Sequence, residues 1–266
     1  MPRIDRGGVG IYYEDHGQGP AVLLSHGYSA TCRMWDGQIA ALCDRYRVIV
    51  WDMRGHGQSD VPADPGAYSE AATVADMAAI LDACVVDRAV IGGLSLGGYM
   101  TLAFHLRHPD RARALMLFDT GPGFKKDAAR DAWNARARVR ADELESRGFA
   151  ALGASDEVRM SQHRSPSGLA GAARGMLTQR DDSVIQSLET IRGPTLVLVG
   201  ANDTNFLAAT DYVAAKISGA TKVVIPEAGH AANLHQPAAF NRAVDDFLTG
   251  LPQQAIYSGQ KPSFVA

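Results

Sequence analysis

Three cysteines in 266 residues, Cys32, Cys43 and Cys84, are too few for a disulfide framework and lack metal-ligand spacing. Free thiols in a reducing, cytoplasmic compartment are expected from that scarcity. No apolar run approaches the length of a membrane span. The N-terminus, Met1-Pro2-Arg3-Ile4-Asp5-Arg6, has no basic-then-apolar signal region. Excess charge is also missing: the formal net charge is -3 and the sequence pI about 6.2. The basic residues are scattered, so no nucleic-acid partner is expected. Neither a Walker sequence nor a G-x-G-x-x-G fingerprint occurs, so no nucleotide cofactor is implied.

Hydrophobic residues are plentiful, at 46% of a chain long enough for one large α/β domain. Strand patterns fall at 9–14, 21–25, 47–51, 89–93, 113–118, 195–199 and 222–225. Helical spacing falls at 34–43, 73–83, 96–106, about 205–216 and 237–248, and Pro237 suits a first helical turn. Alternating apolar strands and helices imply an α/β fold with a mostly parallel sheet covered on both faces. Residues 1–124 and 193–266 are expected to form that core. Residues 125–192, rich in Ala and Arg and without a convincing strand, read as an inserted helical cap. Residues 250–266 read as a frayed tail.

Gly93-Leu94-Ser95-Leu96-Gly97 matches G-x-S-x-G where a strand ends and a helix begins. A serine on so sharp a turn takes strained backbone angles, and side chains two residues away would clash with it. The new helix aims its first N–H groups at developing negative charge. Ser95 is therefore the expected nucleophile.

A serine hydroxyl needs a base, and histidine ionises in the useful range. Of eight histidines, only His230 directly follows a late strand, on the rim that also carries the serine turn. His105 and His108 end the nucleophile helix, and no further ligand cluster makes a metal site of them. Asp203, just after the strand at 195–199, is expected to orient His230, with Asp119 as the rival strand-end carboxylate. The backbone N–H groups of Tyr28 and Leu96 are the expected oxyanion donors, with the His26 ring bracing the first loop. Met34, Trp35, Tyr99, Trp133, Met160 and His163 are candidate walls of a largely apolar substrate pocket.

The sequence resembles the α/β-hydrolase family over residues 9–249. The resemblance rests on His26-Gly27-Tyr28, on Asp52 to Ser59, on Gly93 to Gly98, and on Gly229-His230. Met34-Trp35, Gln38, Leu42 and Gly92 to Tyr99 make the first half similar to enol-lactonases of aromatic catabolism, 3-oxoadipate enol-lactonase-like, and to small-cap esterases. That likeness implies the α/β-hydrolase fold and a serine hydrolase acting on a small-molecule ester or lactone, with no metal or organic cofactor. Asp52 to Ser59 reads as a structural turn. The serine at 95 separates the chain from haloalkane dehalogenases and epoxide hydrolases, which carry an aspartate nucleophile. Carbon–carbon hydrolysis, perhydrolysis, and a small-molecule receptor role with a vestigial triad stay open. The acyl and alcohol groups and the oligomeric state have no sequence signal.

Overall fold

The computed structural model describes residues 2–252, so the expected tail lies outside the described residues from 253 onward. Eight strands form one sheet: β1 (Arg3–Asp5), β2 (Gly10–His16), β3 (Ala21–Ser25), β4 (Arg47–Trp51), β5 (Ala89–Leu94), β6 (Ala112–Phe118), β7 (Thr195–Gly200) and β8 (Thr221–Ile225). Their order is β1-β2-β4-β3-β5-β6-β7-β8. The first two strands pair antiparallel, and every pairing from β4 to β8 is parallel. The carboxyl ends of β3, β5, β6, β7 and β8 therefore share one rim. β1 falls outside the expected pattern, because an exposed edge strand of Arg3, Ile4 and Asp5 carries no apolar alternation.

The helices follow as α1 (Asp36–Leu42), α2 (Glu70–Ala83), α3 (Leu96–Arg107), α4 (Asp127–Arg147), α5 (Asp156–Arg159), α6 (Pro166–Ala172), α7 (Ser183–Ser187), α8 (Leu207–Lys216), α9 (Ala232–His235) and α10 (Pro237–Thr249). Between β6 and β7 the described chain holds α4 to α7 and no strand. α2 begins earlier than its apolar spacing suggests because Ser69 caps it, accepting the Ala72 N–H at 3.1 Å.

Alternate residues of each central strand feed two cores. Leu23, Ile49 and Ile91 face α2 and α3, packing with Met77, Ile80 and Phe104. Val22, Val48 and Val90 face α1 and α10, packing with Leu42, Phe240 and Leu248. Period-two alternation with both faces buried explains why these strands read as continuous apolar runs. On the second face the rings of Phe118 and Phe240 meet edge to face at 4.8 Å, an arrangement contributing about 0.5–1.5 kcal/mol beyond burial.

A polar exception lies on the inner side of α2. Asp76 is fully buried and takes two hydrogen bonds from Arg54, at 2.6 and 2.8 Å. Arg6 adds a third at 3.2 Å. Arg54 belongs to the 52–59 turn, so the ion pair pins that turn to the helix. The Asp52 carboxylate holds the same turn from within, accepting the N–H groups of Cys32 and Gln58 at 2.8 Å each. The turn is thus a hydrogen-bonded scaffold beneath the rim. Truncating Asp76→Ala strands a buried guanidinium, and urea unfolding is expected to show a loss of about 3–5 kcal/mol.

Candidate active site

The geometry begins with the backbone at Ser95, whose φ of 55° and ψ of -115° lie outside the usual regions for a non-glycine residue. Such strain costs about 1–3 kcal/mol and persists only when its surroundings over-determine it. Here three bonds do so. The Ser95 N–H donates to Phe118 C=O at 2.9 Å, and the Ser95 C=O accepts from Tyr99 N–H at 3.0 Å and Thr120 Oγ1 at 2.6 Å. Glycine is obligatory on both sides. A Cβ at Gly93 would sit 2.4 Å from the Gly97 backbone, and one at Gly97 would sit 2.1 Å from Ser25 O.

His230 lies just after β8, and its Nδ1–H donates to Asp203 Oδ2 at 2.7 Å. Asp203 follows β7 and is buried, at 4% exposure. Phe206, three residues later at the start of α8, stacks on the imidazole with ring centroids 5.1 Å apart. Burial alone would lower the His230 pKa. The hydrogen bond and charge of Asp203, aided by Asp119 and Glu157, outweigh burial and raise it above the ordinary histidine value. Among the described contacts no hydrogen bond joins Ser95 Oγ to His230. Both side chains face one cavity of about 1130 Å³, and catalytic bonds of this kind tighten when substrate binds.

Asp119, the rival carboxylate, has a different task. It accepts the Gly200 N–H at 2.8 Å, joining the ends of β6 and β7. Burial pushes its pKa up to about 8, with the Asp203 charge adding to the effect against the Gly200 bond and His230. Asp203 is the carboxylate hydrogen-bonded to the imidazole.

Tyr28 and Leu96 line the same cavity. A Cβ on Gly27 would lie 3.5 Å from the Ser95 Cβ, so the His26-Gly27-Tyr28 loop abuts the serine turn. The His26 ring braces that loop, donating from Nδ1 to Gly27 C=O at 2.7 Å and accepting Met53 N–H at 2.9 Å on Nε2. Neither Tyr28 N–H nor Leu96 N–H meets a protein acceptor among the described residues.

Of the expected pocket walls, Tyr99 and Trp133 line the cavity. The Tyr99 hydroxyl donates to Glu70 at 2.8 Å, and Trp133 Nε1 donates to Leu177 C=O at 2.7 Å. The other four are corrected. Met34 and Trp35 are buried in the core with Phe118 and Phe240, because a tight turn before α1 folds them under the sheet. Met160 is 40% exposed at the outer surface and does not line the cavity. His163 is bonded to two backbone groups of the core instead of facing the cavity. Thr120 and Phe206 went unseen in the sequence, although each follows a strand end by a few residues. Among the described residues no three His, Cys, Asp or Glu side chains converge as a metal site. No helix among them is long and apolar enough to cross a membrane.

Sheet order and the strained turn together define a class, the α/β hydrolases. The chain belongs to this family: residues 20–148 match the family model described as alpha/beta hydrolase fold. It is similar to a thermophilic esterase of Thermogutta terrifontis at 30% identity and TM-score 0.82, covering 94% of this chain and 99% of that one. A 3-oxoadipate enol-lactonase of Acinetobacter baylyi is 29% identical, over 89% of this chain and 92% of its own. A Bacillus subtilis protein, provisionally named 2-succinyl-6-hydroxy-2,4-cyclohexadiene-1-carboxylate synthase, is 29% identical over 91% of this chain and 96% of its own.

The His230 environment makes a measurable statement. Replacing Asp203→Asn removes the main raising influence and leaves burial, so the imidazole pKa is expected to fall. Ring-proton NMR titration should place it above the ordinary histidine value near 6.5 in the parent and lower in the variant. An unmoved titration would mean that Asp203 does not hold the ring.

Proposed function

We propose that the protein is a serine hydrolase that cleaves a carboxylic ester or lactone through an acyl-enzyme. The observation that carries this reading is the Asp203–His230 hydrogen bond of 2.7 Å on the rim of the cavity that Ser95 also lines. His230 takes the Ser95 proton as the oxygen attacks the acyl carbon. The Tyr28 and Leu96 N–H groups receive the oxyanion, each such donor being worth about 3 kcal/mol of barrier. The imidazolium, steadied by Asp203, passes its proton to the leaving alkoxide. Water then repeats the sequence on the acyl-enzyme and frees the acid.

The raised His230 pKa suits a base that must accept a proton and then give it up. Only the neutral ring can act as base, so kcat/KM should rise with pH through that value. The names of the Thermogutta and Acinetobacter relatives support ester or lactone chemistry. A synthase chemistry on the same side chains is the second reading, favoured by the name of the Bacillus relative. It needs no acyl-enzyme, so intact-protein mass spectrometry during turnover separates the two.

The direct test measures hydrolysis of short p-nitrophenyl esters and a lactone panel by the parent and by Ser95→Ala. The variant is expected to lose at least about 10⁴-fold in kcat. Equal rates would end the proposal.

A further inference from the structure

His163 sits in the loop between α5 and α6, far in sequence from every catalytic candidate, yet its ring is fixed by two core backbone groups. Its Nε2 lies 3.0 Å from the Ser29 C=O, and its Nδ1 lies 3.1 Å from the Gly57 N–H. A carbonyl only accepts and an amide N–H only donates, so the pair dictates the proton. Nε2 carries it and Nδ1 is bare. The imidazolium would present a second N–H to the Gly57 N–H, so only the neutral ring fits. Burial, which pushes the His163 pKa down, agrees with this geometry.

Ser29 is an unusual peptide to grip. Its φ is 59°, in the left-handed region that a serine rarely adopts. Its N–H donates to His56 Nε2 at 3.3 Å, and His56 Nδ1 donates in turn to Arg54 C=O at 3.1 Å. The rings of His56 and His163 meet edge to face at 5.8 Å. Two imidazoles thus hold the strained residue, one at its N–H and the other at its C=O. Immediately before it stands Tyr28, whose hydroxyl donates to Leu169 C=O in α6 at 2.9 Å.

We propose that His163 is a positioning residue for the oxyanion loop: by holding the Ser29 carbonyl it sets the direction of the Tyr28 N–H beside Ser95. This rests on the reading that the Tyr28 N–H receives the oxyanion. The consequence is that the segment between β6 and β7 helps to aim a donor in addition to roofing the cavity. Losing the hydrogen bond lets Ser29 relax from its strained angle and swings the preceding N–H away. Because the oxyanion exists only along the reaction path, the loss falls on kcat and leaves KM nearly unchanged. A structural latch alone would lower stability and substrate affinity without that split.

The test compares the parent, Ser95→Ala, His163→Ala and His163→Gln on one turned-over ester, with melting temperatures in parallel. Glutamine carries an NH2 donor group and a carbonyl acceptor and does not titrate, so it can replace both bonds. His163→Ala is expected to lose about tenfold or more in kcat, with KM within about threefold. His163→Gln is expected to recover most of kcat. If Ser95→Ala matches the parent, the hydrolase reading fails and this inference with it. If turnover depends on Ser95 but kcat is unchanged in His163→Ala, the inference alone is overturned. Should His163→Ala not fold, His163→Leu, which fills the ring's space without either hydrogen bond, takes its place: a loss of about tenfold in kcat supports the proposal, and near-parent kcat overturns it.

Discussion

A single strained peptide, the left-handed backbone at Ser95, is the constraint on which the site depends. Its angles turn β5 into α3 with no intervening loop, which lifts the hydroxyl above the rim and aims the first N–H of α3 beside it. The strain is held by hydrogen bonds to Phe118, Tyr99 and Thr120 and by Gly93 and Gly97, whose backbones touch where side chains would collide. Each holding group comes from an element of the parallel sheet or from its neighbour. The sheet is therefore part of the reactive geometry: without β6 alongside β5, the Ser95 N–H would have no partner and the turn would relax.

Two carboxyl groups at adjacent strand ends illustrate how environment assigns roles. Asp119 and Asp203 follow β6 and β7, and both are buried. One accepts the Gly200 amide, and burial raises its pKa. The other meets an imidazole and makes a short hydrogen bond with it. Two nearby carboxylates repel each other, so the Asp203 charge adds to the rise that burial causes at Asp119. Asp119 thus ties β6 to β7 through the Gly200 N–H, while Asp203 holds the ring.

Much of this was legible in the chain because it obeys local rules. β3 and β4 fall at their expected residues, since short apolar runs bounded by turn residues admit few alternatives. Ser95, Asp203 and His230 stand at strand ends, and a parallel sheet gathers strand ends on one rim. What escaped depends on partners distant in sequence. Asp76 looks like a surface residue of α2 until Arg54 is seen beside it. Met34 and Trp35 look like pocket walls because apolar spacing does not say which side of the sheet a turn will cover. His163 shows no pattern at all, for its meaning comes from Ser29 and Gly57, more than a hundred positions away.

Those distant ties also bear on how the cavity can move. The segment between β6 and β7 is bonded to the loop at Tyr28 and Ser29 through the Tyr28 hydroxyl and the His163 ring. Each bond contributes only about 1 kcal/mol net, but breaking it inside a buried site leaves a polar group unsatisfied at a cost of about 1–3 kcal/mol. Lifting the segment on that side therefore disturbs the peptide beside Ser95. α4 presents Val139 to solvent at 56% exposure while still lining the cavity. α4 bears on the first of these ties as well: Ala141 and Leu144 pack with Leu169 and Tyr28, and Arg140 lies over the Tyr28 ring at 5.7 Å. The helices between β6 and β7 are thus anchored to the loop beside Ser95 through Tyr28 and His163.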